Sequence, residues 1–192
     1  MPKRRASKQT GRSEASVARR RRPPTGVGVR GPNLRVGHGY DLHRLEPAGP
    51  GRSFVLGGVL LEADVAAVGH SDADALLHAV TDAILGALAL SDIGQLFPDT
   101  DPRWKGADSA VFVGEARRRM QEAGWRVANL DATVVLERPK LAHRKEEIRA
   151  NLARLLGVDV DCVNVKGKTH ERVDAVGEGR AVEVHAVVLL VR

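Results

Sequence analysis

Cysteine is almost missing from this 192-residue sequence. Cys162 stands alone, so no intrachain disulfide braces the fold, and a reducing compartment suits the chain. Aromatic residues make up 3%, which leaves Ala, Val and Leu to fill the core. No apolar run approaches the ~18 to 20 residues needed to cross a bilayer, so a membrane-spanning role has no support. A positive charge spread over the body is missing as well. The formal net charge is +6, but residues 1–34 hold ten Lys or Arg against the single acid Glu14, a net of +9, and the remainder carries −3. Overall attraction to nucleic acid therefore does not explain the body.

The basic stretch at residues 1–34 runs through Arg19 to Arg22 and then Pro23, Pro24 and several glycines. It has almost nothing large and apolar to offset the entropy of ordering, so it is expected to be a disordered basic extension ahead of a domain over residues 35–192. It suits an unselected extension, an arm for nucleic acid or an anionic surface, or an Arg-rich, acid-poor transit peptide.

From Leu34 the pattern changes. Leu34 to His43 reads as a strand, and Ser53 to Leu61 as a hairpin or bent strand around Gly57-Gly58. Leu77, Val80, Ile84 and Leu88 recur at helical spacing within Ser71 to Leu90, with Ser71 or Asp72 available as the cap. Asp108 can cap a second helix that Gly124 ends. Trp125 to Leu136 reads as a strand, and Leu141, Ile148, Leu152 and Leu155 as a helix closed by Gly157. Cys162 to Lys168 and Ala181 to Val191 are the last strands. Strands alternating with helices point to a two-layer α/β sandwich, a mixed sheet with helices on one face.

Two segments carry chemistry. In Gly37-His38-Gly39-Tyr40-Asp41-Leu42-His43, residues two apart share a strand face, so Asp41 and His43 present a carboxylate and an imidazole together, with glycines that admit close approach. In His70-Ser71-Asp72-Ala73-Asp74, acids near a helix start favour its positive end, and His78 follows inside an apolar helical stretch. A histidine so placed is by default a hydrogen-bonded core residue. Taken with Asp41 and His43, it completes two nitrogens and one oxygen with a fourth position open, the ligand set of a catalytic zinc site. Spacing alone does not bring the three together.

These segments, Asp92-Ile93-Gly94 with Phe97-Pro98-Asp99-Thr100-Asp101, Arg138-Pro139-Lys140, Asn164-Val165-Lys166 and Gly177-Glu178-Gly179, occur in the order of one family. From Arg35 to Arg192 the chain resembles the 2-C-methyl-D-erythritol 2,4-cyclodiphosphate synthases. The resemblance implies a phosphorus–oxygen lyase of isoprenoid precursor synthesis. It would convert 4-CDP-2-C-methyl-D-erythritol 2-phosphate to the 2,4-cyclodiphosphate and CMP by metal-assisted intramolecular phosphoryl transfer. It also implies a homotrimer with active sites between subunits. Asp41, His43 and His78 match the ligands of Zn2+ or another divalent transition metal, and Glu171 reaches a second cation, Mg2+ or Mn2+, between the phosphates. His70 and Thr169 match the catalytic residues. The substrate residues would be Asp41, His43, His70, Ser71, Asp92, Ile93, Gly94, Phe97, Pro98, Asp99, Thr100 and Asp101. Leu136, Pro139, Lys140 and Ala142 match the neighbour's cytidine pocket, and Lys168, Thr169, His170 and Glu171 the diphosphate loop.

Near its end the sequence departs from the family pattern. Val176 stands where an arginine of the trimer's central anion site is expected, and Lys168 and His170 replace hydroxyl residues. Two other functions fit the residues less fully: a zinc-dependent phosphohydrolase, and nucleic-acid binding through the basic arm. The abundance of Ala, Arg, Gly and Val suggests a bacterial cytoplasm, with a plastid as the alternative.

Overall fold

The computed structural model describes residues 33–192 apart from residue 52. The expectation for residues 1–34 therefore lies outside the described residues except at Asn33 and Leu34, and Leu34 already belongs to the first strand.

A five-stranded sheet forms the frame. Its strands are β1 (Leu34–Pro47), β4 (Val65–Ala67), β5 (Arg126–Val135), β6 (Val163–Lys168) and β7 (Ala181–Val191). The order is β4-β1-β7-β5-β6, antiparallel throughout except for the parallel pair β5–β6. A separate hairpin joins β2 (Phe54–Leu56) to β3 (Val59–Leu61), turning at Gly57-Gly58 as the sequence indicates. β7 alternates Val182, Val184, Ala186, Val188 and Leu190 inward, all buried. This period-two pattern of apolar residues, mostly valine, lets the central strand lie flat under a helix.

That helix is α1 (Ala75–Ala87), buried over most of its circumference as its nearly continuous apolar sequence requires. It packs on β1 and β7, with α3 (Ala110–Glu122) beside it and α4 (Lys145–Leu156) against β6. The contact with β1 is backbone on backbone. A Cβ at Gly37 would lie 1.8 Å from the Ala83 carbonyl oxygen, and one at Gly39 would lie 1.8 Å from that of Ala79. The glycines thus admit the helix rather than a ligand. The opposite sheet face is uncovered: Val36 is 67% exposed, and Tyr40, Leu42 and Val187 are exposed beside it.

The start of α1 corrects one expectation. The cap is Asp74, not Ser71 or Asp72. Its carboxylate accepts from Leu76 N and Leu77 N at 3.1 and 3.0 Å, and from Gly57 N and Gly58 N at 2.8 and 2.6 Å. The hairpin turn and the helix terminus hence share one fully buried carboxylate. The cap position of the second helix is likewise Ser109, one residue after Asp108, whose carboxylate accepts from Ala110 N at 2.8 Å. Leu141 sits in a separate short turn (Leu141–His143) ahead of α4, and Gly157 closes α4 in the left-handed region at φ 71°. Two short helices escape the periodicity altogether, α2 (Ile93–Leu96) and α5 (Asp174–Gly177).

Candidate metal centre and second cleft

Asp41 and His43 leave β1 on the face that carries Gly37 and Gly39, and the close contact with α1 sets His78 opposite them. The three ligand atoms form a nearly equilateral triangle. Asp41 Oδ2 lies 3.0 Å from His43 Nε2 and 3.0 Å from His78 Nδ1, and the two nitrogens are 3.1 Å apart. A tetrahedral centre with bonds of about 2.0 Å has ligand atoms roughly 3.3 Å apart. Among the described residues this is the one group of three such side chains gathered closely enough to hold a metal ion.

The outer hydrogen bonds decide what the triangle presents. His43 Nδ1 lies 2.9 Å from the Val68 carbonyl oxygen, which only accepts, so Nδ1 carries the proton and Nε2 is a bare lone pair. Ser109 Oγ donates to Asp72 Oδ1 at 2.5 Å and lies 2.8 Å from His78 Nε2, so that nitrogen donates and Nδ1 is bare. Two lone pairs and a carboxylate then converge, an arrangement that repels unless a cation sits among them. The residues fit a metal. Without one, protons must fill the role. Burial alone pushes the Asp41 carboxyl up, but hydrogen bonds from His43 and His78 and their positive charge outweigh it and hold Asp41 well below the carboxylate range. Burial likewise opposes charge on His43, and the bond and charge of Asp41 outweigh it, raising His43 above 6.5.

The triangle opens into a cleft of about 520 Å³. Asp41, His43, His70, Ser71, His78, Ile93, Gly94, Phe97 and Asp99 line it. Trp104 and Phe112, which sequence reasoning missed, complete an apolar wall. Phe97 meets Phe112 with centroids 4.5 Å apart, and Trp104 stands edge-on to Phe97 at 5.2 Å. A signal existed: the chain has only three Phe, two Trp and one Tyr, and half of them gather here. His70 Nε2 donates to the Asp101 carbonyl at 3.1 Å, which leaves Nδ1 for a ligand.

A second cleft of about 450 Å³ is lined by Leu136, Lys140, Ala142, Lys168, Thr169 and Glu171, together with Leu141, Lys145 and Gly167. The Thr169 hydroxyl donates to Glu171 Oε1 at 3.0 Å. Glu171 and Arg172 hold left-handed backbone at φ 51° and 63°, strain typical of loops that grip a ligand. Asp92, Pro98, Thr100, Asp101, Pro139 and His170 line neither cleft. The Asp92 carboxylate caps α2, accepting from Gln95 N at 2.9 Å. His170 Nδ1 pairs with Asp174 Oδ2 at 2.9 Å. Val176 is buried against Val135 and Ala181, and Arg180 pairs with Glu178.

Register places the two clefts. Leu42 lies opposite Glu183, Glu183 opposite Val135, and Val135 opposite Lys168, so both open at the same end of the sheet. They are separated by the three strand spacings from β1 to β6, roughly 14 Å. Glu171 therefore does not join Asp41, His43 and His78 within one chain's metal group.

Fold and site together define an α/β protein in which one carboxylate and two imidazoles, gathered closely enough to hold a metal ion, face a part-polar, part-aromatic cleft. The chain belongs to the YgbB family, whose sequence profile matches residues 34–191. It is 56% identical to the chloroplastic 2-C-methyl-D-erythritol 2,4-cyclodiphosphate synthase of Arabidopsis thaliana over 83% of this chain and 68% of that protein. It is 53% identical to the synthase of Dechloromonas aromatica over 83% of this chain and 98% of that one. A solved structure described as the IspF–CDP complex of Plasmodium falciparum superposes with a TM-score of 0.73 at 35% identity, covering 82% of this chain and 96% of that one.

Proposed function

We infer that the chain is a 2-C-methyl-D-erythritol 2,4-cyclodiphosphate synthase, a phosphorus–oxygen lyase. It takes 4-CDP-2-C-methyl-D-erythritol 2-phosphate to the 2,4-cyclodiphosphate and CMP. The observation that carries this is the lone-pair triangle of Asp41, His43 and His78 opening into a cleft, in a chain of this family. In the substrate the 2-phosphate is tethered to the same carbon skeleton as the CDP group. Its oxygen attacks the β-phosphorus, the bond from that phosphorus to CMP breaks, and no covalent enzyme intermediate is needed. Positioning and charge stabilisation dominate.

The protein's own groups serve those two needs. Asp41, His43 and His78 would hold zinc, which would supply Lewis-acid polarisation of a phosphate oxygen, and Glu171 would hold Mg2+ or Mn2+ as a second counter-charge. His70 presents Nδ1 to the reacting phosphates, Lys168 adds positive charge, and Thr169 offers its hydroxyl proton when Glu171 turns away. Phe97, Trp104 and Phe112 shield the carbon skeleton from water, while Ile93 and Gly94 edge the cleft. Leu136, Lys140 and Ala142 of the second cleft would hold the cytidine.

The split between two clefts supports a homotrimer in which the Leu136–Glu171 cleft of one subunit completes the metal cleft of its neighbour. The uncovered sheet face with Val36, Tyr40, Leu42 and Val187 supports burial against other copies. The chloroplastic and bacterial relatives support either a plastid or a bacterial cytoplasm.

Phosphorus NMR of the purified protein with substrate, zinc and magnesium tests the reading. CMP with two coupled cyclic-diphosphate resonances is expected, absent in His78→Ala. Inorganic phosphate in their place would identify a hydrolase and overturn it.

A further inference from the structure

One polar pair behind the metal centre does no capping and lines no part of the metal cleft. Ser109 is fully buried and stands at the start of α3, yet its side chain makes no capping bond. Its Oγ contacts His78 Nε2 at 2.8 Å and Asp72 Oδ1 at 2.5 Å, and its backbone N–H donates to Asp72 Oδ2 at 3.1 Å. Asp72 is in turn fixed by its own N–H on the Ala107 carbonyl at 3.0 Å. We propose that Ser109, gripped at two points by Asp72, is a positioning residue that fixes the His78 tautomer and so prepares the metal centre. The inference rests on Asp41, His43 and His78 being the metal ligands.

Proton accounting supports it. A serine hydroxyl has one proton, and an ionised carboxylate only accepts. The Ser109 proton therefore goes to Asp72, and the lone pair left on Oγ accepts from His78 Nε2–H. That assignment leaves Nδ1 bare and facing Asp41 and His43. The arrangement is a carboxylate–histidine–metal relay with a hydroxyl interposed, and the negative charge at its far end strengthens Nδ1 as a donor to a cation. Ser71 Oγ also reaches His78 Nε2, but at 3.1 Å, and it already accepts from Ala73 N at 3.3 Å. It is the weaker acceptor. Without Ser109, nothing of comparable quality dictates which ring nitrogen holds the proton.

The test uses the full chain as wild type, Ser109→Ala, Asp72→Asn and His78→Ala. Zinc affinity is measured by competition with a chromophoric chelator, and long-range nitrogen–proton NMR of the metal-free protein reads the His78 tautomer. Ser109→Ala is expected to weaken zinc about 10- to 100-fold and to shift the tautomer away from Nε2–H. Asp72→Asn keeps the volume and is expected to act in the same direction by a smaller factor, which covers poor folding of the first variant. A purely structural serine would lower the melting temperature while leaving tautomer and affinity alone, and that result would overturn the inference with the metal reading intact. Equal zinc binding by wild type and His78→Ala would overturn both.

Discussion

His43 and His78 meet at 3.1 Å with bare nitrogens, because the proton of each ring is committed elsewhere, to the Val68 carbonyl and to Ser109. Metal and protons therefore compete for the same three atoms. In the metal-free protein His43 is raised above 6.5 by Asp41. Its contribution to stability is fully present below 6.5 and is lost as the pH rises through the raised value. Metal binding needs the deprotonated ring and follows the opposite trend. The stabilisation by zinc should consequently be larger at pH 8 than at pH 6. With zinc at a hundred times its dissociation constant, about 2.7 kcal/mol or roughly 5–10 °C is expected at the higher pH. Thermal melts with zinc and with chelator at both pH values check this, and a difference that shrinks as pH rises would refute it.

Two glycines should respond oppositely to the same substitution. Gly39→Ala drives a methyl to 1.8 Å from the Ala79 carbonyl oxygen, a backbone clash that no rotamer relieves. A loss of about 3 kcal/mol is expected, together with weaker zinc binding as α1 shifts His78. Gly86, exposed within the same helix, has only the His38 carbonyl at 3.8 Å. Gly86→Ala should gain about 0.5–1 kcal/mol from helix propensity. Urea unfolding of both variants decides the matter.

Asp74 and Asp92 both cap helices, yet their loss should differ greatly. Asp74→Ala strips four backbone N–H groups of their acceptor at a fully buried site. The expected cost is at least about 3 kcal/mol. Asp92→Ala uncaps a four-residue helix with no buried residue, and its cost in stability should stay below about 1 kcal/mol. Equal costs in denaturant unfolding would show that the shared carboxylate does not join the hairpin to α1.

If each site is shared by neighbouring subunits, two inactive chains should rescue one another. His78→Ala lacks only the metal cleft, and Thr169→Ala only the second. Unfolded, mixed one to one and refolded together, they would pair an intact metal cleft with an intact second cleft at about a quarter of the interfaces. Turnover near a quarter of wild type is the expected result. Mixtures as inactive as either parent would show that each site is built from one chain.

The strands and long helices were legible because the periodicity of Val, Leu and Ile reports which face is buried. The bounds of β7 are those its alternation indicates, and Asp41, His43 and His78, joined in sequence only by the family resemblance, do lie together. What stayed hidden depends on distant partners. Asp74 outcompetes Ser71 and Asp72 as cap because the Gly57-Gly58 turn adds two more donors from across the chain. β4 has only three residues and exists because β1 continues past His43 to Pro47 and offers an edge. Ser109 looked like any serine before an apolar helix. The separation of Lys168–Glu171 from the metal trio follows from strand order, which residue types do not reveal.

The pairing of β1 with β7 also sets a timetable. Asp41 and His43 leave the ribosome well before Val184 and Val182, their partners in the sheet, which belong to the final described strand. Until those residues exist, the strand bearing two of the three ligands has its central neighbour missing and cannot settle beneath α1. A chain made only as far as β6 would thus carry the ligand residues without the scaffold that gathers them, and metal capture waits for β7.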